Sequence, residues 1–137
     1  MTALAKARPT PKKQGGENRF DPIKAATTIF QGSLVCLDAA GWAVPGATAT
    51  TLIARGKAKA TVSNAGGANG DQSIETERGI FRFENSAAGD LIARTEIGKD
   101  CYVVDDQTVA KTHGGNTRSI AGKVEDVDGQ GVWVRIA

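Results

Sequence analysis

Aromatic side chains are scarce: four phenylalanines, two tryptophans and one tyrosine in 137 residues. So few imply a thin core and provide little platform for stacking nucleic-acid bases. The single histidine, His113, sits beside Gly114 and Gly115, so a Ser-His-Asp or Cys-His site would rest on a ring that nothing in the sequence orients. No Gly-x-Ser-x-Gly elbow occurs. The chain is therefore expected not to be an enzyme and to need no cofactor. Its two cysteines, Cys36 and Cys101, are too few and too widely spaced for a metal site. A long-range disulfide stays open to them, but apolar neighbours (Leu34, Val35 and Leu37; Tyr102 and Val103) fit reduced core thiols better. There is no apolar run of about 18 residues and no apolar segment behind a basic start. The expectation is a soluble protein without a membrane span, made in the cytoplasm.

Glycine, by contrast, is abundant, with 17 residues. Together with an ordinary 40% hydrophobic fraction it points to many turns and short strands, hence an all-β domain rather than a helical bundle. Val132, Val134 and Ile136 alternate with Trp133 and Arg135, the two-residue period of a strand with one buried face. Ile120, Gly122 and Val124 alternate likewise, and Asp128-Gly129 between the two runs reads as a hairpin turn. Two further hairpins are expected, one turning at Asp105-Asp106-Gln107 and one at Asp38-Ala39-Ala40-Gly41.

The longest alternation runs from Ile53 to Val62, with Ala54, Gly56, Ala58 and Ala60 on one face and Arg55, Lys57, Lys59 and Thr61 on the other. Small residues inside imply close packing, and the three cations form a candidate basic stripe. From Ser73 to Glu84 the chain is strand-like, with a bend expected at Gly79. Residues 90–99, DLIARTEIGK, read as the one short helix, capped by Asp90 and stopped by Gly98. The glycine-rich stretch 64–71, NAGGANGD, has no helix start or Lys-Ser/Thr pair behind it and reads as a loop, not a phosphate cradle. Asp105 and Asp106 read as turn residues, and Glu125, Asp126 and Asp128 lack the spacing of a calcium loop.

The formal net charge of +2 hides an asymmetry. Residues 1–20 carry Lys6, Arg8, Lys12, Lys13 and Arg19 against Glu17 alone, while the other 117 carry twelve basic and fourteen acidic groups. With Pro9, Pro11 and the Gly15-Gly16 pair, residues 1–24 read as an extended basic arm ahead of a β-rich domain spanning 25–137.

A resemblance adds to this reading. The ordered pieces FQGSLVCLDAAGWAVPG, ARGKA, ERGIFRFEN, GDLIARTEIGKDCYVVDDQTVAKT and RSIAGKVEDVDGQGVWVRI resemble the small capsid decoration, or cement, proteins of tailed bacteriophages over residues 25–137. The resemblance implies a small β-barrel or β-tulip-like domain, commonly a homotrimer. It would sit on the outer surface of the virion where major capsid protein subunits meet. Placement of charge makes Lys6, Arg8, Lys12, Lys13 and Arg19 the candidate capsid-binding residues, with Arg55, Lys57 and Lys59 as a second set. Two other classes stay open. A nucleic-acid-binding barrel is disfavoured by the net negative folded part and scarce aromatics, and a virion hydrolase or glycan-binding domain is motivated only by the acidic corners.

Overall fold

A computed structural model of the chain describes residues 5–8 and 17–137. Its strands are β1 (Asn18–Pro22), β2 (Thr27–Ile29), β3 (Leu34–Leu37), β4 (Ala43–Pro45), β5 (Ile53–Ala58), β6 (Val62–Asn64), β7 (Ser73–Glu77), β8 (Gly79–Phe83), β9 (Asp100–Val103), β10 (Val109–Ala110), β11 (Ile120–Asp128) and β12 (Gly131–Ile136). They pair antiparallel into three sheets: sheet 1 in the order β1-β7-β5-β3-β4, sheet 2 in the order β10-β9-β11-β12-β8, and a small sheet of β2 and β6. The domain is all-β. The strand ladders leave both large sheets open, so the expected barrel closure does not appear among the described residues; an isolated bridge from Ile23 to Ala43 links the end of β1 to β4.

The core explains why β3 reads as an unbroken apolar run. Leu34 and Cys36 pack into a cluster with Val103, Val109, Val124, Val132 and Val134 of sheet 2. Val35, pointing the other way, joins Ile23, Ile29, Ala58 and Ile74 in a second cluster. Both faces of β3 are thus buried, which removes the hydrophobic-polar alternation that a strand with one wet face shows.

All three expected hairpins form, as β11–β12, β9–β10 and β3–β4. Within β11, however, bulges at Ile120/Gly122 and Val124/Asp126 shift the faces, so Ala121 and Val124 are buried while Ile120 is exposed. The stretch 53–62 is not one strand: the chain turns after Ala58 and re-enters as β6 beside β2. The stretch 73–84 also divides, with β7 in sheet 1, β8 in sheet 2 and only Arg78 between them. The crossing needs the left-handed φ of +153° at Gly79.

The expected helix over 90–99 is absent, replaced by two 3-10 turns, Ala88–Asp90 and Arg94–Glu96. Asn85 causes this locally. Its side-chain amide donates to the Ile92 carbonyl and accepts from the Ile92 N–H, both at 2.9 Å, which holds that backbone out of a helical ladder. Asp90 does not cap either; its carboxylate accepts from Thr112 and pairs with Arg118. Only Ile92 of the apolar residues here is buried, with Leu91 and Ile97 left exposed, so no helical stripe exists to dock.

Candidate partner-binding surface

β1 joins the chain's N-terminal segment to the folded sheet, pairing Asn18 with Glu77 and Arg19 with Thr76 along β7. Two-residue alternation then sends Arg19 and Asp21 to one face and Asn18 and Phe20 to the other. Arg78, one step beyond β7 and bonded through its N–H to the Glu17 carbonyl, continues the Arg19 face. Arg55 arrives there through a bulge. Val35 pairs with Gly56 and Cys36 with Ala54, which leaves Arg55 as the extra residue of β5 and turns it away from Lys57.

The result is a cluster of guanidinium groups. Arg55 Nε donates to Asp21 Oδ2 at 2.8 Å and Nη2 to Oδ1 at 3.0 Å, a bidentate pair in which Asp21 is only 8% exposed. Arg19 Nη1 donates to the Arg55 carbonyl at 2.9 Å. Burial, together with the nearby Arg55 and Arg78 charges, pushes the Arg19 pKa down against the opposing pull of Asp21. Among the described residues Arg78 forms no ion pair within 4.0 Å. Three arginines gathered with the single carboxylate of Asp21 leave a local positive surplus.

The basic stripe Arg55-Lys57-Lys59 is therefore divided. Lys57 stands opposite Glu77 and lies 5.2 Å from the centre of the Phe81 ring, and Lys59 Nζ reaches Glu75 at 3.8 Å and Asn18 at 3.4 Å. Those two cations belong to a surface already matched by acids. Of the arm residues, Lys6 and Arg8 are exposed, and Lys12 and Lys13 lie outside the described residues. Sequence reasoning passed over Arg78. Its signal is the bend expected at Gly79, since the residue before a sheet-to-sheet crossing stands at a corner.

A groove of about 730 Å³ opens between the sheets, lined by Leu52, Ile53 and Ala54 on one side and by Tyr102, Ile120 and Ile136 on the other. β7 pairs with β5 only at Lys57 and Ala58 before the chain leaves for sheet 2, so of β5 only Ile53 and Ala54 border the groove. Ile53 and Ile120 are 63% and 50% exposed. The charged rim is balanced: Lys123 pairs with Asp100 at 2.7 Å, Arg135 with Glu125 at 2.8 Å and Arg118 with Asp90 at 3.2 Å.

The acidic corners are occupied locally. Asp105 Oδ1 accepts from the Gln107 N–H, Asp126 pairs with Arg94, and Asp128 accepts from Trp133 Nε1 and from the N–H groups of Gln130 and Gly131. His113 Nδ1 accepts from the Asn116 N–H within its own loop. Cys36 and Cys101 are unbridged and buried in the same core cluster, where loss of hydration pushes both thiols up to about 12. Among the described residues no three metal-ligating side chains gather, and no helix is long and apolar enough to cross a membrane.

Compared with known proteins, the chain matches no family model, no curated protein and no solved structure.

Proposed function

We propose that the chain is a structural protein of a tailed-phage virion that binds the outer surface of the head as a homotrimer and cements neighbouring major capsid protein subunits. The observation that carries this reading is the arginine surplus of Arg19, Arg55 and Arg78, which suits an acidic protein surface. The resemblance of its sequence pieces to cement proteins supports it: the first piece spans β3 and β4, ARGKA falls in β5, and the last spans β11 and β12. The arm cations Lys6, Arg8, Lys12 and Lys13 extend the same charge ahead of β1. Three arms on one trimer raise the effective concentration of each for the head once the first is bound.

Sedimentation with expanded heads of its own phage tests the reading. The protein should pellet with heads, release as salt rises, and run as a trimer by light scattering. A protein that stays in the supernatant at low salt, or shifts duplex DNA in a gel instead, refutes head binding. A monomer that still coats heads refutes only the preassembled trimer.

A further inference from the structure

Cations of the folded domain are mostly matched one by one. Lys59, Arg94, Lys111, Arg118, Lys123 and Arg135 each pair with a carboxylate within 4.0 Å. Arg19 and Arg78 form no ion pair among the described residues, and they stand together. β1 and β7 pair antiparallel with Arg19 opposite Thr76, and the Arg78 N–H donates to the Glu17 carbonyl at 2.8 Å, which carries the register one rung further. Residues two apart on a strand share a face, so Arg78 stands diagonal to Arg19, about 7–8 Å away and within reach for long side chains.

Both guanidinium groups keep donors to spare. Arg19 spends Nη1 on the Arg55 carbonyl at 2.9 Å, and its Nε and Nη2 make no hydrogen bond among the described residues. Arg78 is exposed. Arg55 is committed elsewhere, with Nε and Nη2 both directed to Asp21. Burial first, and then the charges of Arg55 and Arg78, lower the Arg19 pKa, so its cation is short of compensation. An anion seated between Arg19 and Arg78 relieves that repulsion.

The neighbours of Arg19 on its own face decide which anion fits. Glu17 and Asp21 flank it along the chain, two residues away on either side. A nucleic-acid backbone brings phosphates in series, and these flanking carboxylates repel the ones that follow the first. A single carboxylate meets no such conflict and accepts charge-assisted N–H bonds from both guanidinium groups.

We propose that Arg19 and Arg78 together grip one aspartate or glutamate side chain of the protein this chain binds, while Asp21 keeps Arg55 out of the contact. That the partner is the head rests on the head-binding reading; the carboxylate site itself stands on the register of β1 and β7.

Acetate is the probe, with chloride at equal ionic strength as the control and inorganic phosphate as the second anion. In nitrogen-15 NMR of the full chain, the Arg19 and Arg78 Nε–H signals should shift together and saturate with acetate, with no such shift in chloride. Arg78→Gln should abolish the saturable shift at Arg19. Lys99→Gln, which removes an exposed cation from elsewhere on the surface, should leave it unchanged, and both variants should keep the wild-type circular dichroism. Equal shifts in chloride, a response that never saturates, or an Arg19 shift that survives Arg78→Gln overturns the proposal. A response to phosphate with none to acetate overturns the choice of carboxylate. Heads separate the two readings: wild type and Arg78→Gln coating heads equally well sinks the grip at that contact and leaves head binding intact. Failure of the wild type to coat heads strikes the head-binding reading, while the acetate titration still decides the site.

Discussion

Arg55 holds Asp21 with two parallel hydrogen bonds, from a bulge in the third strand of sheet 1 to its edge strand, across the strand that separates them in the sheet order. The pair fixes Arg55 on the face opposite Lys57 and closes β1 onto the domain. Because Asp21 is nearly buried, removing Arg55 leaves a poorly solvated carboxylate without the two hydrogen bonds that hold it. Arg55→Ala should cost about 2–3 kcal/mol in urea denaturation, and Asp21→Ala in the same background should recover part of it. Additive losses in the double variant would show that the pair is not coupled.

Gly56 is required by the same bulge. Its φ is +146°, and a Cβ there would run into the Glu77 carbonyl of β7. Gly56→Ala should therefore cost about 3 kcal/mol or more by thermal melting. Gly129→Ala, where a methyl group meets open space, should stay within about 1 kcal/mol of wild type. Similar losses at both sites would contradict the assignment of a close approach at Gly56.

Both thiols should be inert in the folded protein. Burial raises Cys36 and Cys101 to about 12, so almost no thiolate exists near neutrality, and neither sulfur is reachable. A disulfide-exchange reagent at mildly alkaline pH should titrate no thiol natively and both after denaturation. Rapid native labelling of either would mean the shared core opens far more readily than its packing implies.

Asp128 should contribute to an acid limb of stability. The Trp133 indole N–H, followed by the Gln130 N–H, holds its pKa below the ordinary value of 3.8. A carboxylate whose folded value is depressed gives its full stabilisation above the unfolded value and loses it as the pH falls through the folded one. Asp128→Asn should thus be less stable than wild type at neutral pH, and the gap should close near about pH 2, where both side chains are neutral. Urea midpoints followed by tryptophan fluorescence report this. A gap that persists unchanged into acid would reverse the assigned sign.

How far the sequence reveals this molecule depends on where its regularities break. The hairpins were legible because Val132, Val134 and Ile136 keep a strict period and because Asp38 and Asp128 close their own turns by accepting backbone N–H groups. The faces of β5 and β11 were not, since a bulge adds one residue and inverts every side chain beyond it. Nothing in ARGKAKA distinguishes a bulged strand from a straight one except Gly56. The helix over 90–99 was not legible as absent because Asn85 and Thr112, both outside that stretch, take the groups a helix would use. At the proposed surface, charge counting named Arg19 and Arg55, which the fold gathers with Arg78, and also Lys57 and Lys59, whose acidic neighbours come from β7 and become adjacent only in the sheet.

The run of β7 into β8 through Arg78 also sets how the domain bears mechanical load. Asn18, where the chain enters β1, lies beside Glu77, where β7 departs for sheet 2. A pull on the chain ahead of Asn18, with the rest held through β8, acts on the same end of both strands. It peels their ladder one rung at a time instead of shearing all the rungs together. Peeling starts easily and then meets Asp21, gripped from the side by Arg55, so the arginine acts as a rivet that arrests the tear before it reaches Ile23 and the core.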